Sequence, residues 1–424
     1  MPRNVEVTIP IGHGSQTVRV PNLVAVAKPE YTPGVADKRA EIACALREPI
    51  GTPRLVDLAK RRRDAVIVVN DITRPYPGGE MVLELAKELN VAGLSDDRIT
   101  LLVAYGNHRA NTPEELETMF GAEVVKRFKF VHHIAVDPKR NVTVGCTAGG
   151  VEVSIDRAFA EADLKILTGC IAPHQFAGFS GGRKSVIPGI AGLAAIKRHH
   201  SFPIRPEAIS LGRLEGNCFH EEALAAAKLA KVDFIVNAVE NPQRELVRCV
   251  AGDLEKAFYV GVEVSRKLWT VAIPERPQIA IVSPGGYPRD FDLHQSQKPL
   301  GCVEMVCPTG SAVILCAECP DGAGKPGKIL KDAPDLQTVI DRFLAEGFAP
   351  NGNGKAYMLA RAIKRFRIVL AGSKIPADEL REMFLDGYPT VQEALDAMLQ
   401  IYGADAPILV IPNAAEIIPI VRSE

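Results

Sequence analysis

The stretch DLKILTGCIAPHQFAGFSGGRKSVIPGIAG (163–192) begins as an apolar strand and continues as a loop, and it contains six glycines. Short apolar runs bounded by glycine and proline are typical of buried strands. A glycine-rich turn after such a strand is typical of α/β proteins, whose loops bring the backbone close to a ligand. The loop also carries His174 and Lys184, which are side chains of a kind that enzymes use in chemistry. The stretch therefore predicts an α/β fold with a functional loop.

The loop does not match the phosphate-binding loop of nucleoside triphosphatases. That motif needs a glycine directly before its lysine, whereas Arg183 precedes Lys184 here. A side chain thus occupies the position where backbone amides should cradle a phosphate chain. We still expect the backbone around Ser180, Gly181 and Gly182 to suit one phosphate group, because glycines permit the required geometry.

Strand-like and helix-like segments alternate along the whole chain, which predicts an α/β protein with largely parallel sheets. TVAIPERPQ (270–278) contains two prolines and is interpreted as a hinge. We therefore expect an N-terminal α/β domain over 1–269, a C-terminal α/β domain over 270–404, and an active-site cleft between them. The last segment, 405–424, is expected to pair with either domain. CPDGAGKPGKIL (319–330) is interpreted as a flexible surface loop.

The composition is that of an ordinary globular protein with no basic excess. The chain has 50 Lys and Arg residues and 51 Asp and Glu residues, so it has no excess of positive charge that would attract nucleic acid or an anionic membrane. No apolar run approaches the length of about 20 residues that spans a bilayer, and the start lacks a signal-peptide pattern. We expect a cytoplasmic protein. The CxxC formed by Cys316 and Cys319 has no second pair at zinc-finger spacing, so both are interpreted as small buried side chains.

Polar clusters follow four of the predicted strands. Because ligands of α/β sheets bind beyond the carboxyl ends of the strands, four such clusters indicate a cleft more strongly than any one of them does. The clusters are Asp71, Thr73 and Arg74; Asn107 and His108; His174 and Lys184; and Asp292, His294, Gln295 and Lys298.

Two histidines, His108 and His174, stand out by their position at strand ends. Imidazole titrates near neutral pH and suits acid–base catalysis. His199 and His200 end a predicted short helix, and adjacent residues on a helix point in different directions, so one at most faces a common site. Taken alone, His200 is compatible with a packed residue, a helix C-terminal charge or a metal ligand. The other histidines are interpreted as structural: His13, His132, His133 and His220.

The motifs DITRP, GNH, PHQFAGFSGGRKSVIPGIAG, the HH pair and QSQK resemble, in order, those of the nickel-pincer lactate racemase family. They span roughly residues 64 to 300, and the long glycine-rich motif is the most specific of them. The resemblance implies racemisation or epimerisation of a 2-hydroxy acid. It also implies a nickel pincer cofactor, which is a pyridinium mononucleotide with thioamide and thiocarboxylate sulfurs. Proteins that make the cofactor are implied as partners.

The resemblance also implies roles for individual residues. Lys184 matches the lysine that carries the cofactor through a thioamide link. His200 matches the histidine that completes nickel coordination, and His108 and His174 match the paired acid–base histidines. The chemistry is coherent: if a cofactor takes the C2 hydrogen as hydride, each histidine need only handle a hydroxyl proton. The planar 2-keto acid then accepts hydride back on either face.

Further residues match those that hold the substrate or its charge. Arg74 suits a planar carboxylate, Gln295 and Lys298 match substrate-binding residues, and Lys298 is also assigned to the catalytic group. Asp71 lies in the first motif and is assigned to cofactor binding.

The substrate side chain is left open by the sequence. Tyr76, Phe176 and His294 lie beside these residues and are candidates for setting specificity. Lactate is the family's namesake substrate, and the polar His294 favours an acid that is larger or more polar than lactate.

Two other functions stay open at this point. A nicotinamide-dependent dehydrogenase would need a dinucleotide loop, and Gly322, Gly324 and Gly327 form the one G-x-G-x-x-G of the chain. Pro326 lies inside it and no long helix is expected to open directly behind it, so it is interpreted as a chance match. The second alternative is a non-catalytic protein that binds the nucleotide cofactor.

Overall fold

The computed structural model describes residues 4–74, 76–201, 210–414 and 417–422. Its internal contacts divide it into two compact units. Of the described residues, the first contains 31–201 and 212–269, and the second contains the residues up to Glu30, Ser210, Leu211 and the residues from Thr270 onward.

Within the described ranges the strands are β1 (Val5–Ile11), β2 (Gly14–Val20), β3 (Leu23–Val26), β4 (Ala65–Asn70), β5 (Ile99–Ala104), β6 (Lys129–His132), β7 (Asn141–Cys146), β8 (Glu152–Asp156), β9 (Leu164–Cys170), β10 (Pro173–His174), β11 (Gly178–Phe179), β12 (Phe234–Glu240), β13 (Leu246–Gly252), β14 (Thr270–Ile273), β15 (Ile279–Val282), β16 (Ala312–Cys316), β17 (Arg367–Ala371), β18 (Asp386–Tyr388), β19 (Ile408–Ile411) and β20 (Ile418–Val421).

The helices in the same ranges are α1 (Lys38–Arg47), α2 (Leu55–Ala59), α3 (Gly78–Val91), α4 (Pro113–Arg127), α5 (Arg157–Glu161), α6 (Leu193–Ser201), α7 (Cys218–Leu229), α8 (Lys256–Trp269), α9 (Leu293–Ser296), α10 (Leu300–Val306), α11 (Gly324–Lys331), α12 (Leu336–Glu346), α13 (Asn353–Arg365), α14 (Ala377–Glu382) and α15 (Val391–Tyr402). None of them combines the length and the apolar character needed to cross a bilayer.

The first unit is built on a six-stranded sheet of order β13-β12-β9-β4-β5-β6. All neighbours run parallel except β13, which is antiparallel to β12. Strand β12 is buried at every position and β4 at all but its last, so both faces of the sheet are covered. This is why the sequence shows continuous apolar runs rather than alternation. The predicted α/β class with largely parallel sheets is confirmed.

The order of strands in this sheet reverses between β4 and β9. Strand β5 follows β4 in the chain and lies on one side of it, whereas β9 lies on the other side. In open α/β sheets, ligands bind at such a reversal, beyond the carboxyl ends of the strands. These ends are Asn70 for β4, Ala104 for β5 and Cys170 for β9. The polar segments after them therefore start at the edge where a site is expected.

The second unit has a fully parallel sheet of order β18-β17-β16-β15-β19-β3. The internal contacts divide the chain at 269/270 and also place the residues up to Glu30 in this second unit. Strand β3 pairs with β19, and hairpin β1–β2 buries Ile9 and Val18 in the same core as Ile281 and Ile314. The last segment joins this unit too, through β19 and through β20, which pairs with β14.

Two short helices, α9 and α10, follow one another here, with Pro299 as the cap residue before α10. One local expectation was wrong. The expected surface loop 319–330 contains helix α11, with Pro326, Gly327 and Leu330 buried. Pro326 is tolerated because it lies in the first turn, where the backbone N–H has no helical partner. All nine cysteines are free thiols, and Cys316 and Cys319 are buried.

Candidate active site

Asp71 and His108 form the first group at the reversal in strand order. The buried Asp71 follows β4, and its Oδ2 lies 2.6 Å from Nδ1 of His108. Its Oδ1 accepts from the backbone N–H and the hydroxyl of Thr73, which fixes the carboxylate in a local turn. Burial raises the pKa of Asp71, but the hydrogen bonds from His108 and Thr73 outweigh it and the pKa is lowered. The ionised carboxylate thus orients His108 through Nδ1 and leaves Nε2 for chemistry.

Arg74 belongs to the same turn. Its backbone N–H donates to the carbonyl of Asp71, and its Nη1 donates to the carbonyl and hydroxyl of Thr73. The exposed guanidinium is thereby held at the same strand end as His108. Its positive charge also lowers the pKa of Lys184, which ties this group electrostatically to the next one.

His174 and Lys184 form the second group, in the loop after β9. Nδ1 of His174 accepts the backbone N–H groups of Phe176 (3.1 Å) and Ala177 (3.2 Å). Nε2 of His174 lies 2.8 Å from Nζ of Lys184. Burial, followed by the charges of Arg74 and Arg183, holds the pKa of Lys184 well below its usual range. Among the described residues no carboxylate forms an ion pair with this amine.

Arg183 was missed as a functional candidate by sequence reasoning. It is completely buried, and its guanidinium lies 4.3 Å from the centroid of the Phe258 ring. Nε donates to Nδ1 of His220, and the other nitrogens donate to the carbonyls of Ala177, Ser180 and Gly181. Burial lowers its pKa to about 9. Arg183 thus holds the functional loop in shape. Only its place beside Lys184 hints at this in the sequence.

The phosphate role expected for Ser180–Gly182 loses its support. The N–H of Ser180 donates to the carbonyl of Ala172, and the N–H of Gly182 donates to Oδ1 of Asn237. The Ser180 hydroxyl donates to the carbonyl of Cys170. Two of the three amides are therefore committed within the protein. The glycine at 181 is explained by its φ of 79° and by close approach to Asn237, which a Cβ would contact at 2.5 Å.

His200 lies beside the second group, on α6. Its Nδ1 donates to the carbonyl of Ile196 at 3.0 Å, as a helix-internal bond, so Nε2 is the lone-pair nitrogen. Burial lowers its pKa to about 4, which keeps the ring neutral at physiological pH. The Phe219 ring lies 5.1 Å from the His200 ring and 6.0 Å from Nζ of Lys184. His200 and Lys184 are thus placed around one aromatic ring.

The predicted difference between His199 and His200 is present in the structure. His199 is completely buried, and its Nε2 donates to the carbonyl of Phe219. In the part of the chain that the structure describes, no three His, Cys, Asp or Glu side chains are grouped so as to hold a metal ion.

The remaining candidates lie in the unit that contains Thr270–Glu424. Asp292 caps α9 by accepting from the N–H of Gln295 at 2.7 Å, and it places His294 and Gln295 on that helix. Lys298 follows α9. Burial, then the charges of Lys355, Lys298 and Lys325, lower the pKa of His294 to about 4. Lys325 and Lys355 were not among the sequence candidates.

Two of the specificity candidates have clear surroundings in the first unit. Tyr76 is buried, and its hydroxyl is hydrogen-bonded to Oγ1 of Thr168 at 2.8 Å, so it is part of the core. Phe176 is half-buried, and its ring lies 6.1 Å from the rings of both His174 and Phe219. Phe176 therefore borders the second group, whereas Tyr76 supports the sheet beneath it.

Comparison with known proteins gives matches over most of the chain. Residues 11–210 match the family model described as the lactate racemase N-terminal domain, and residues 273–419 match that of the lactate racemase C-terminal domain. The lactate racemase of Thermoanaerobacterium thermosaccharolyticum is 34% identical over 379 residues, which cover 88% of each chain. The lactate racemase of Lactiplantibacillus plantarum is 33% identical over 391 residues, which cover 88% of this chain and 89% of that one.

Solved structures agree with these matches. The lactate racemase apoprotein from Thermoanaerobacterium thermosaccharolyticum has a TM-score of 0.89 at 31% identity and covers 99% of this chain and 100% of that chain. A protein from Thermotoga maritima has a TM-score of 0.64 at 20% identity, covers 92% of this chain and 100% of that one, and supports the fold alone. With matching models over both halves and relatives above 30% identity, the chain belongs to the lactate racemase family of isomerases.

Proposed function

We propose that the chain racemises or epimerises a 2-hydroxy acid, lactate or a related acid, with a nickel pincer nucleotide attached to Lys184. One observation carries the proposal. The Lys184 amine is half-buried, lies 2.8 Å from His174 Nε2, and forms no ion pair with a carboxylate of the described residues. A lysine without a counter-ion in such a place is suited to covalent chemistry rather than to a structural ion pair.

The residues around Lys184 fit the cofactor. His200 is neutral and donates its Nδ1–H to a backbone carbonyl, which is the arrangement typical of a histidine that ligates a metal through Nε2. An imidazole together with soft sulfur donors is a reasonable ligand set for nickel. Lys184 and His200, which both lie near the Phe219 ring, would therefore hold the group. When bound, the cofactor supplies the acceptor and donor of the C2 hydride.

The two acid–base histidines move the hydroxyl proton. In one enantiomer His108 takes it at Nε2, and the ionised Asp71 stabilises the imidazolium that results. His174 takes the hydroxyl proton of the opposite enantiomer. In that enantiomer the hydroxyl group lies on the other side of the plane that the keto acid will occupy. Because removal of the C2 hydrogen as hydride leaves only this proton to be handled, neither histidine has to deprotonate a very weak carbon acid.

Charged side chains bind and orient the substrate in this proposal. Arg74 holds the carboxylate, since a planar guanidinium bonds it with two parallel hydrogen bonds. Gln295 and Lys298 keep the substrate-binding roles expected from the sequence, as a neutral donor and a compact positive charge. Asp71 acts on His108 rather than on the cofactor, which revises the role expected from its motif.

The test is to produce the chain together with the cofactor-making proteins of a lactate racemase host. We expect about one nickel per chain, an intact-mass increase that maps to Lys184, and interconversion of at least one acid in a panel of enantiopure 2-hydroxy acids. No NADH should accumulate with any of them when NAD is added. A loaded, nickel-containing chain that leaves every acid unchanged would contradict the racemase activity, and stoichiometric NADH would support a dehydrogenase instead.

A further inference from the structure

The hydrogen bonds of His174 define which of its nitrogens carries the proton. Two backbone N–H groups, those of Phe176 and Ala177, point at Nδ1. A nitrogen that accepts two N–H donors has no proton of its own, so a neutral His174 carries its proton on Nε2. In a doubly protonated ring, the Nδ1–H would point at two backbone N–H groups that are themselves donors, and no hydrogen bond could form. In this arrangement His174 is therefore the neutral Nε2–H tautomer.

The same accounting of hydrogen-bond donors and acceptors shows that the Lys184 amine is neutral. Nζ lies 2.8 Å from Nε2 of His174, and Nε2 is the donor in this pair. The lysine nitrogen must then accept, which an ammonium group cannot do because it has no lone pair. The charged groups that face the amine agree with this assignment. They are Arg74 after β4 and Arg183 beside it, both positive, and the imidazoles of His199 and His200 on α6, whose pKa values are lowered by burial.

His174 in this state is not prepared for acid–base catalysis. To take a proton at Nε2 it would need its existing proton on Nδ1, where Phe176 and Ala177 already donate. To give up its Nε2 proton it would have to become an imidazolate. The ring is thus committed to Lys184, and a catalytic His174 requires a different local arrangement.

We infer that His174 first presents Lys184 as a neutral nucleophile and is released for catalysis when Lys184 is acylated. In acylation the amine attacks an acyl carbon, the bond from that carbon to its leaving group breaks, the leaving group departs with the electron pair, and the nitrogen loses a proton. The product is an amide-type nitrogen, whose lone pair is delocalised and whose N–H is a donor. That nitrogen can no longer accept from Nε2–H, so this bond is lost, and the ring can turn away from the N–H groups of Phe176 and Ala177. The catalytic half of this inference rests on the proposed function, whereas the nucleophile half does not.

A cofactor-free experiment tests the nucleophile half. Acetic anhydride acylates an amine when its nitrogen attacks a carbonyl carbon, the anhydride C–O bond breaks, acetate leaves with the electron pair and the amine loses a proton to water. Modification of an exposed lysine rises about tenfold per pH unit between pH 7 and 9, because its pKa is about 10.4. We expect modification of Lys184, measured by peptide mass spectrometry, to change less than about twofold over that range. Exposed Lys197 in the same digest is the internal control.

Nitrogen-15 NMR of the histidine-labelled, cofactor-free chain tests the tautomer whether or not the reagent reaches Lys184. The His174→Asn variant assigns the signals. We expect a pyridine-like Nδ1 and a protonated Nε2 for His174, unchanged between pH 6 and 8. After acetylation of Lys184, or in Lys184→Met, which keeps the length without the amine, we expect the His174 signals to lose this single fixed tautomer.

Three results would overturn the inference: an Nδ1–H tautomer in the unmodified chain, His174 nitrogen signals that are the same with and without the Lys184 amine, or modification of Lys184 that rises with pH in parallel with Lys197. None of these depends on racemase activity. If the tautomer or the pH dependence is not as expected but the loaded enzyme is active, the proposed function still stands. If the loaded enzyme is inactive, the tautomer result still stands.

Discussion

Asp71 Oδ2 lies 2.6 Å from His108 Nδ1, so the carboxylate that follows one parallel strand orients the imidazole that follows its neighbour. The bond joins a buried acid to a half-exposed base. Such a pair selects the histidine tautomer and stabilises the imidazolium once the ring has taken a proton. It makes Asp71 a positioning residue, and it gives the site its most accessible mutational test.

Asp71→Asn should lower kcat of the loaded enzyme by about 10²–10⁴-fold, which is the usual contribution of one acid–base group. The amide cannot stabilise the imidazolium, whereas contacts to the substrate are kept, so we expect KM to change far less than kcat. Steady-state racemisation from each enantiomer measures both constants.

Asp156 and His133 provide the matched control, because they form a second Asp–His pair, completely buried and with Nδ1 3.0 Å from Oδ2. Asp156→Asn should lower the unfolding temperature with little loss of turnover per folded molecule. Equal losses of kcat in the two variants would show that the Asp71 bond matters for folding only.

His200→Ala should abolish nickel retention while the apoprotein keeps its fold. The side chain is the lone-pair donor assigned to nickel, and its helix is otherwise held by Ala195, Ile196 and His199, which are buried. Metal analysis of the purified, co-produced variant gives the nickel content, and the Lys184 mass adduct reports separately on attachment.

The neighbouring histidine is the control for this substitution. His199→Ala removes the bond to the Phe219 carbonyl and leaves a cavity, so it should reduce stability and keep nickel in the folded fraction. Nickel lost equally from both variants would argue against His200 as the ligand.

Acid should destabilise the protein partly through His220. Burial, then the charge of Arg183, lowers its pKa to about 3, whereas an unfolded histidine has a pKa of about 6.5. Between these values the unfolded chain binds the extra proton, so the stability contributed by the neutral ring is present above pH 6.5 and is lost as pH falls toward 3. Urea unfolding between pH 7 and 4 should show a shallower loss for His220→Gln than for the unchanged chain.

The glutamine can keep both contacts of His220, since its oxygen accepts from Arg183 and its amide donates toward Tyr259. The exposed His13 gives the comparison, and His13→Gln should leave the pH dependence as it is. Identical slopes for all three proteins would refute this assignment.

Arg183→Met should cost at least about 3 kcal/mol of unfolding free energy, because each buried acceptor left without a donor costs about 1–3 kcal/mol. The acceptors are His220 Nδ1 and the carbonyls of Ala177, Ser180 and Gly181. Arg266 also donates to a backbone carbonyl and lies over an aromatic ring, but it is partly exposed. Arg266→Met should cost well under half as much in the same denaturant titration.

His294→Phe should shift substrate preference toward acids with apolar side chains. His294 is surrounded by the charges of Lys298, Lys325 and Lys355, so its neighbourhood is polar and positive. A change at one pocket contact is worth about 1–3 kcal/mol, or roughly 10- to 200-fold in the ratio of kcat/KM values. The ratio is measured over the panel of enantiopure acids. A uniform loss across the panel would show that His294 does not discriminate among them.

Sequence patterns predict much of this structure because buried parallel strands leave a strong signal. The runs before Asp71, His108 and His174 are the strands β4, β5 and β9, and the reversal in their order explains why polar residues follow each of them. The capping box of Thr112 and Glu115 likewise begins α4 where TPEE suggests a helix start.

Other features have no local signal. The four residues of β3 are half-buried and too short to show a period, and their partner strand is at the far end of the chain. The role of Arg183 depends on four acceptors brought together by the fold, and the tautomer of His174 depends on two loop amides. Such relations arise from tertiary structure, which spacing alone does not encode.

The pairing of residue 23 with residue 408 has a consequence for synthesis on the ribosome. Tyr31–Trp269 contains nearly all of the first unit and can complete its sheet while the rest of the chain is still being translated. The second unit cannot, because β19 stands between β3 and β15 and is made after all the other strands of that sheet. Until then β3 has no neighbour and the apolar face of hairpin β1–β2 lacks its core. Strands β1, β2 and β3 are therefore made long before they can be buried, and this segment of the nascent chain should depend on chaperones until β19 has been made.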